Sequence, residues 1–226
     1  MAISLDDPKK LKPLASQAHQ VAMNMLRPIS RKYDKAEHEY PKELDMLAAM
    51  IDGLSESGAS EGAGAAGVRR DEKPETKDTG TKNGANLASV MSIQEMCWGD
   101  VGLLLSMPRQ GLGNSAIASV ADDEQAERFA GVWAGMAITE PGVGSDSANI
   151  KTTAVLDGDE YVINGEKIYV TSGDRADHIV VWATLDRELG RAAIKSFVVA
   201  KGTPGMRVER LEHKLGIRAS DTAAII

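Results

Sequence analysis

The chain has 226 residues, 42% of them hydrophobic and 26% charged, enough for one large or two ordinary domains with an apolar core. A formal net charge of −7 and an aromatic content of 4% argue against a nucleic-acid backbone or stacked bases as the default partner. One cysteine allows no intrachain disulfide, MAISLDDPKKLKPL has no apolar core of signal length, and no run approaches the ~18–20 residues of a membrane span. The expectation is a soluble, cytoplasmic protein without a membrane span.

Residues 1–131 read as helical. HQVAMNMLRPISRKYDKA is rich in Met and Leu and is interrupted only by Pro28. KELDMLAAMIDGL places Leu44, Leu47, Ala48, Ile51 and Leu54 on one helical face, a stripe expected to be core. ANLASVMSIQEMCWGDVGLLLSM is a further helix, ended by Pro108. Cys97 sits there between Met96 and Trp98 and reads as a packing thiol rather than a nucleophile. Asp122, Asp123 and Glu124 open a short helix, with their charges at its favourable end. Between the helices, residues 55–84 are small, polar and charged, a composition that cannot offset the entropy of ordering, so a mobile loop is expected.

After residue 131 the hydrophobic period becomes two. VWAGMAITE reads as a strand; IKTTAVL, EYVI and EKIYVT, separated by DG and NG, read as a three-stranded meander. Asn164-Gly165 predicts a hairpin turn, because both residues tolerate positive φ. DHIVVWAT and IKSFVVA are further strands, and GTPG is a turn before MRVERL. The fold class is therefore α+β: a helical N-terminal domain over 1–131 followed by a small antiparallel β domain over 132–226. The last residues, DTAAII, are strand-like with no polar tail, so the β domain reads as truncated at its end.

MAITEPGVGSD, residues 136–146, ends a strand in a turn with Gly142, Gly144, Ser145 and Asp146. Bared main-chain N–H groups in such a turn can cradle an anion such as a phosphate, and Thr139 can offer a hydroxyl to a ring edge. YVTSG ends another strand with Thr171 and Ser172, and period two puts Tyr169 and Thr171 on one face. Together they suit a flat, polar-edged ring with a phosphate tail; the competing reading is a structural turn and an ordinary sheet surface.

AITEPGVGSD, INGEKIYVTSGDRADHIVVWA and KLGIRASDT, in this order, resemble the acyl-CoA dehydrogenase family from about residue 84 onward. The resemblance implies a helical domain, a β middle domain and a C-terminal helical domain, assembled as dimers or tetramers with itself or a related subunit. It implies FAD as cofactor and an acyl-CoA substrate desaturated between Cα and Cβ, in fatty-acid and lipid metabolism. The main chain around Met136 and Ile138, with the Thr139 hydroxyl, would meet the pyrimidine side of the flavin, and Gly144 and Ser145 the pyrophosphate. Tyr169 would pack beside the isoalloxazine, and Thr171 would bond near N5. In that chemistry a carboxylate removes the α proton while hydride passes from Cβ to the flavin. An electron-transfer flavoprotein is the acceptor the family implies.

Val143 and Asn149 stand where the family's signature has small residues, and Tyr169 where it has tryptophan; a bulkier Val143 would tighten the turn around the phosphates. The family's C-terminal domain supplies the catalytic glutamate, so no catalytic base is assigned here, and no metal site is expected. Glu140 reads as an ion-pair or turn-stabilising residue, His178 as a strand-surface residue and His213 as a polar turn residue. Two alternatives stay open: a non-catalytic partner subunit of a heteromeric acyl-CoA dehydrogenase, or a DNA-protective relative, which the charge of −7 disfavours.

Overall fold

A computed structural model of the chain describes residues 11–56, 84–109 and 112–226, and the side chains among them other than those of 51–56 and 84–86. The Met- and Leu-rich segment forms α1 (Lys12–Val21) and α2 (Arg27–Ala36), joined by a π-helical turn over Ala22–Leu26 ahead of Pro28. Proline has no N–H to donate and its ring crowds the carbonyl four residues back, so a wider turn lets the helix pass it. In α3 (Glu43–Glu56) the predicted stripe buries Leu44, Leu47 and Ala48. Ile51 and Leu54 fall outside the described side chains, and the loop expected over 55–84 falls almost wholly outside the described residues.

Helix α4 (Gly84–Leu105) is broken at Asp100, whose φ of −174° and ψ of 119° are extended. Its carboxylate accepts the Leu103 N–H at 2.8 Å and the Ser30 hydroxyl, so the aspartate caps the resumed helix and ties it to α2. Helix α5 spans Leu112–Val120 and α6 spans Asp123–Arg128. Asp122 and Gln125 close a capping box over the start of α6, which places that helix where the acidic run predicts it.

The strands are β1 (Ala134–Ala137), β2 (Thr153–Asp157), β3 (Glu160–Asn164), β4 (Lys167–Thr171), β5 (His178–Thr184), β6 (Ile194–Ala200), β7 (Val208–Leu211) and β8 (Thr222–Ile225). β6 runs antiparallel along one edge of β5. Along the other edge β1 lies parallel over His178–Val181, and β2 takes over at Thr184. Residues 138–152 therefore leave the sheet between two strands that share one edge. The class is α+β as read, although the β1–β5 and β2–β5 pairings are parallel.

The meander holds only in part. The β2–β3 hairpin forms at the predicted Asp-Gly, with Asp157 paired to Glu160 and Gly158 and Asp159 making the turn. Asn164-Gly165 does not return the chain beside β3: β4 crosses to a second sheet, ordered β4-β8-β7. Gly165 is needed for contact instead, since a Cβ there would lie 2.3 Å from Thr152 Oγ1. The pull toward the second sheet comes from Lys167, buried against Glu140, and from the Ile168 N–H donating to the Thr139 carbonyl at 2.8 Å.

Among the described residues the buried apolar side chains form three clusters: Ile117, Ala121, Ala134 and Val180 seat α5 on the sheet, and the other two borrow from each other. Leu26, Tyr33, Leu44, Leu47, Leu103 and Met107 pack between helices together with Ala219 from the approach to β8. Trp133, Val170, Ile179, Val181 and Ile225 fill the space between sheets, with Tyr40 packed on them from the segment before α3. Arg175 joins the two. Its guanidinium donates to Ser106 Oγ, to the Ala219 carbonyl and to the carbonyls of His38 and Glu39, all at 3.1–3.2 Å, and lies 3.5 Å from Asp221.

Candidate functional site

The turn that breaks β1 from β2 is built around a buried carboxylate. Glu140 and Val143 exchange main-chain hydrogen bonds at 3.0 Å, closing Pro141 and Gly142 into a tight turn. The Glu140 side chain accepts from the Lys151 N–H at 2.6 Å, the Thr152 N–H at 2.9 Å, the Thr152 hydroxyl at 2.6 Å and Lys167 Nζ at 2.8 Å. A carboxylate offers about four lone-pair sites, so this one is fully engaged. Burial pushes its pKa up, but the hydrogen bonds from Lys167, Thr152 and the two main-chain N–H groups outweigh burial and hold it below the ordinary value. Such a group is a poor proton acceptor for a substrate and a strong clamp, which agrees with its reading as a turn-stabilising residue. Lys167 also donates to the Ile138 carbonyl at 3.0 Å, so its ammonium holds the tail of β1 directly and the approach to β2 through the Glu140 carboxylate.

The clamp leaves the turn's outer side open. Val143 is buried, so its bulk packs on the inner side of the turn. Gly144 and Ser145 are exposed, and a Cβ on Gly144 would meet nothing within 4 Å. Their main-chain N–H groups make no hydrogen bond among the described residues. Asn149 donates to the Asp146 carboxylate, which gives its side chain a structural use beyond the turn. Lys151, which the sequence did not single out, adds a cation: its Nζ stands 3.9 Å from where a Gly142 Cβ would be.

Strand β4 presents the other half. A bulge between Lys167 and Val170 shifts its register against β8. Tyr169 takes a φ of 58° and Ser172 a φ of 59°, left-handed conformations unusual for residues with side chains. The bulge turns Tyr169 outward, 62% exposed, while Val170 behind it is buried and Thr171 is half-buried. A Cβ on Gly135 would lie 3.2 Å from the Thr171 carbonyl, and Ile168 bonds to Thr139. The stretch Met136–Thr139 and the stretch Tyr169–Thr171 thus lie side by side. Met136, Ile138 and Thr139 are half-buried there. Gly144 and Ser145 are joined to this pair through the Glu140 turn, and no hydrogen bond among the described residues links them to Tyr169 or Thr171.

The remaining candidates have structural surroundings. Burial pushes the Cys97 thiol up, in keeping with a packing role. His178, the first residue of β5, is half-buried with its ring edge-on to Phe129 at 5.8 Å. No helix among the described residues is long and apolar enough to cross a membrane.

This arrangement has counterparts in known proteins. Residues 135–226 match the family model for the acyl-CoA dehydrogenase middle domain. A short-chain-specific acyl-CoA dehydrogenase of Clostridium acetobutylicum is 36% identical over 161 residues, which is 68% of this chain and 42% of that one. An acryloyl-CoA reductase (NADH) of Anaerotignum propionicum is 32% identical over 94% of this chain and 52% of its own length. The solved butyryl-CoA dehydrogenase of Megasphaera elsdenii superposes on the whole chain with a TM-score of 0.75 at 25% identity, covering 57% of that chain. The chain belongs to the acyl-CoA dehydrogenase family. It spans about half the length of the curated relatives it matches.

Proposed function

We propose that this chain is the flavin- and acyl-CoA-binding portion of an FAD-dependent acyl-CoA dehydrogenase, with a helical domain over 1–131 and a β domain over 132–226. The observation that carries the reading is the juxtaposition of the Met136–Thr139 tail with the bulged Tyr169–Thr171 strand, next to a turn with bared amides. These residues fit a flavin. Main-chain groups around Met136 and Ile138 and the Thr139 hydroxyl would bond a polar ring edge, and Tyr169 would stack against the ring. Thr171 would donate to a ring nitrogen. The amides of Gly144 and Ser145, beside Lys151, would hold the pyrophosphate. Bound FAD would supply the two-electron redox chemistry at the acyl chain.

What the chain's own groups do is position and exclude water. Lys167 and Glu140 lock the strand tail, so the carbonyls and amides of 138–140 stand in one geometry before any ligand arrives, which reduces the ordering cost of binding. Glu140 is committed to that role and is not assigned as the proton-abstracting carboxylate. Electron transfer to a separate flavoprotein and assembly into dimers or tetramers belong to the same proposal.

Similarity to an acryloyl-CoA reductase across 94% of the chain supports a second reading in which the same site reduces an α,β-unsaturated thioester. The test is to titrate the full-length protein with FAD. The bound flavin is then mixed anaerobically with saturated acyl-CoAs of graded length and, after reduction, with enoyl-CoAs. Bleaching by saturated thioesters supports the dehydrogenase; reoxidation only by enoyl-CoA supports the reductase. Failure to bind FAD would remove both.

A further inference from the structure

At the end of α2, Glu37 and His38 hold φ of 37° and 60°, a backbone that L residues rarely adopt. The strain turns both side chains toward His213, in the connection between β7 and β8. Glu37 Oε2 lies 3.0 Å from His213 Nδ1, and the rings of His38 and His213 stand 5.4 Å apart between centroids at 58°. One ligand atom from each of the three lies within 4.8 Å of the other two. Both ring nitrogens of His38 are shielded from solvent and have no hydrogen-bond partner. Leaving a buried polar atom unpaired is destabilising, so this histidine asks for a partner that the described residues do not give it.

We propose that Glu37, His38 and His213 form a binding site for one divalent transition-metal ion of the zinc class, stapling the end of α2 to the β7–β8 connection. Two imidazoles and a carboxylate are the donor set such ions take, and three protein ligands leave a fourth position for water. Donors on one tetrahedral ion sit about 3.4 Å apart, so the cluster must close slightly. His213, whose side chain is 85% exposed, is free to make that movement.

The surrounding charges limit the affinity. Arg218 Nη2 donates to Glu37 Oε2 and the Lys214 N–H to Oε1, both at 3.1 Å. The Lys214 ammonium is turned away onto the Ser220 carbonyl and the Thr222 hydroxyl, and Arg175 is held on the His38 carbonyl. With these cations near, micromolar binding is expected rather than the far tighter binding of a four-thiolate site.

The full chain, stripped with chelator, would be titrated with Zn²⁺ by calorimetry and with Co²⁺ by visible absorption. The site predicts one ion per chain, a tetrahedral Co²⁺ spectrum, and at least tenfold weaker binding in His38→Ala and in His213→Ala. The exposed position of His213 keeps that variant informative should His38→Ala fold poorly. Absence of saturable binding overturns the proposal. So does one-to-one binding that survives His213→Ala, or that is lost in Cys97→Ser instead.

Discussion

Tyr169 and Ser172 hold left-handed backbone on either side of Val170 and Thr171, and nothing in the packing of β4 against β8 requires an aromatic side chain there. Strain of this kind, about 1–3 kcal/mol per residue, persists where it aims a group for use. Tyr169→Gly would relieve it while adding freedom to the unfolded chain, two effects of about 1 kcal/mol and opposite sign. The melting temperature is therefore expected to stay within a few degrees of wild type, while FAD affinity falls about tenfold. A large loss of stability would instead make Tyr169 a packing residue. Thr171→Val, which keeps shape and removes one hydroxyl, is expected to slow flavin reduction while leaving the urea midpoint nearly unchanged. An unaltered reduction rate would remove Thr171 from the site.

Glu140 makes a prediction in pH at the same scale. Its folded pKa lies below the unfolded value of about 4.3, so its stabilisation is fully present above that pH and is lost as pH falls through the folded value. Glu140→Gln leaves buried Lys167 without its countercharge and should cost about 3–5 kcal/mol at neutral pH. Urea midpoints of the two proteins should converge as pH drops below about 4. A gap that is constant with pH would mean the carboxylate's charge is not what holds the turn.

Among the elements, β4 decides the architecture. Its departure from β3 after Asn164-Gly165 brings Tyr169 and Thr171 beside the tail of β1, and it depends on the close approach of Gly165 to Thr152. Gly165→Ala places a methyl group against a side chain that already bonds Glu140, so a loss of about 1–3 kcal/mol is expected, together with weakened FAD binding. Stability measured by urea, with affinity measured by flavin titration, checks both. Local signals were legible here where the partner is a sequence neighbour: the Asp157-Gly158 hairpin, the capping box of α6 and the buried stripe of α3. Asn164-Gly165 was not, because turn chemistry states what a dipeptide can do, and a buried ion pair between Lys167 and Glu140, 27 residues apart in the chain, determines what it does.

In the whole molecule, Arg175 holds the helical and β portions in register through Ser106, Ala219, His38, Glu39 and Asp221. Arg175→Ala leaves buried carbonyls and a buried carboxylate without their donor, a loss of about 3–5 kcal/mol. Hydrogen exchange should then rise first at Leu103–Met107 and Ala219–Thr222, where the guanidinium joins α4 to β8. Uniform exchange across the chain would mean that Arg175 is not the tie. By themselves the residues determined the helix-to-strand switch near residue 131, the apolar stripes and the family, because periodicity and local motifs are written along the chain. Tertiary structure alone decided which sheet β4 joins, which way Val143 points, that Lys167 clamps Glu140, and that residues 37–38 meet His213. Those outcomes depend on competition between buried charges, close contacts and burial among segments far apart in sequence, and no local pattern encodes the winner.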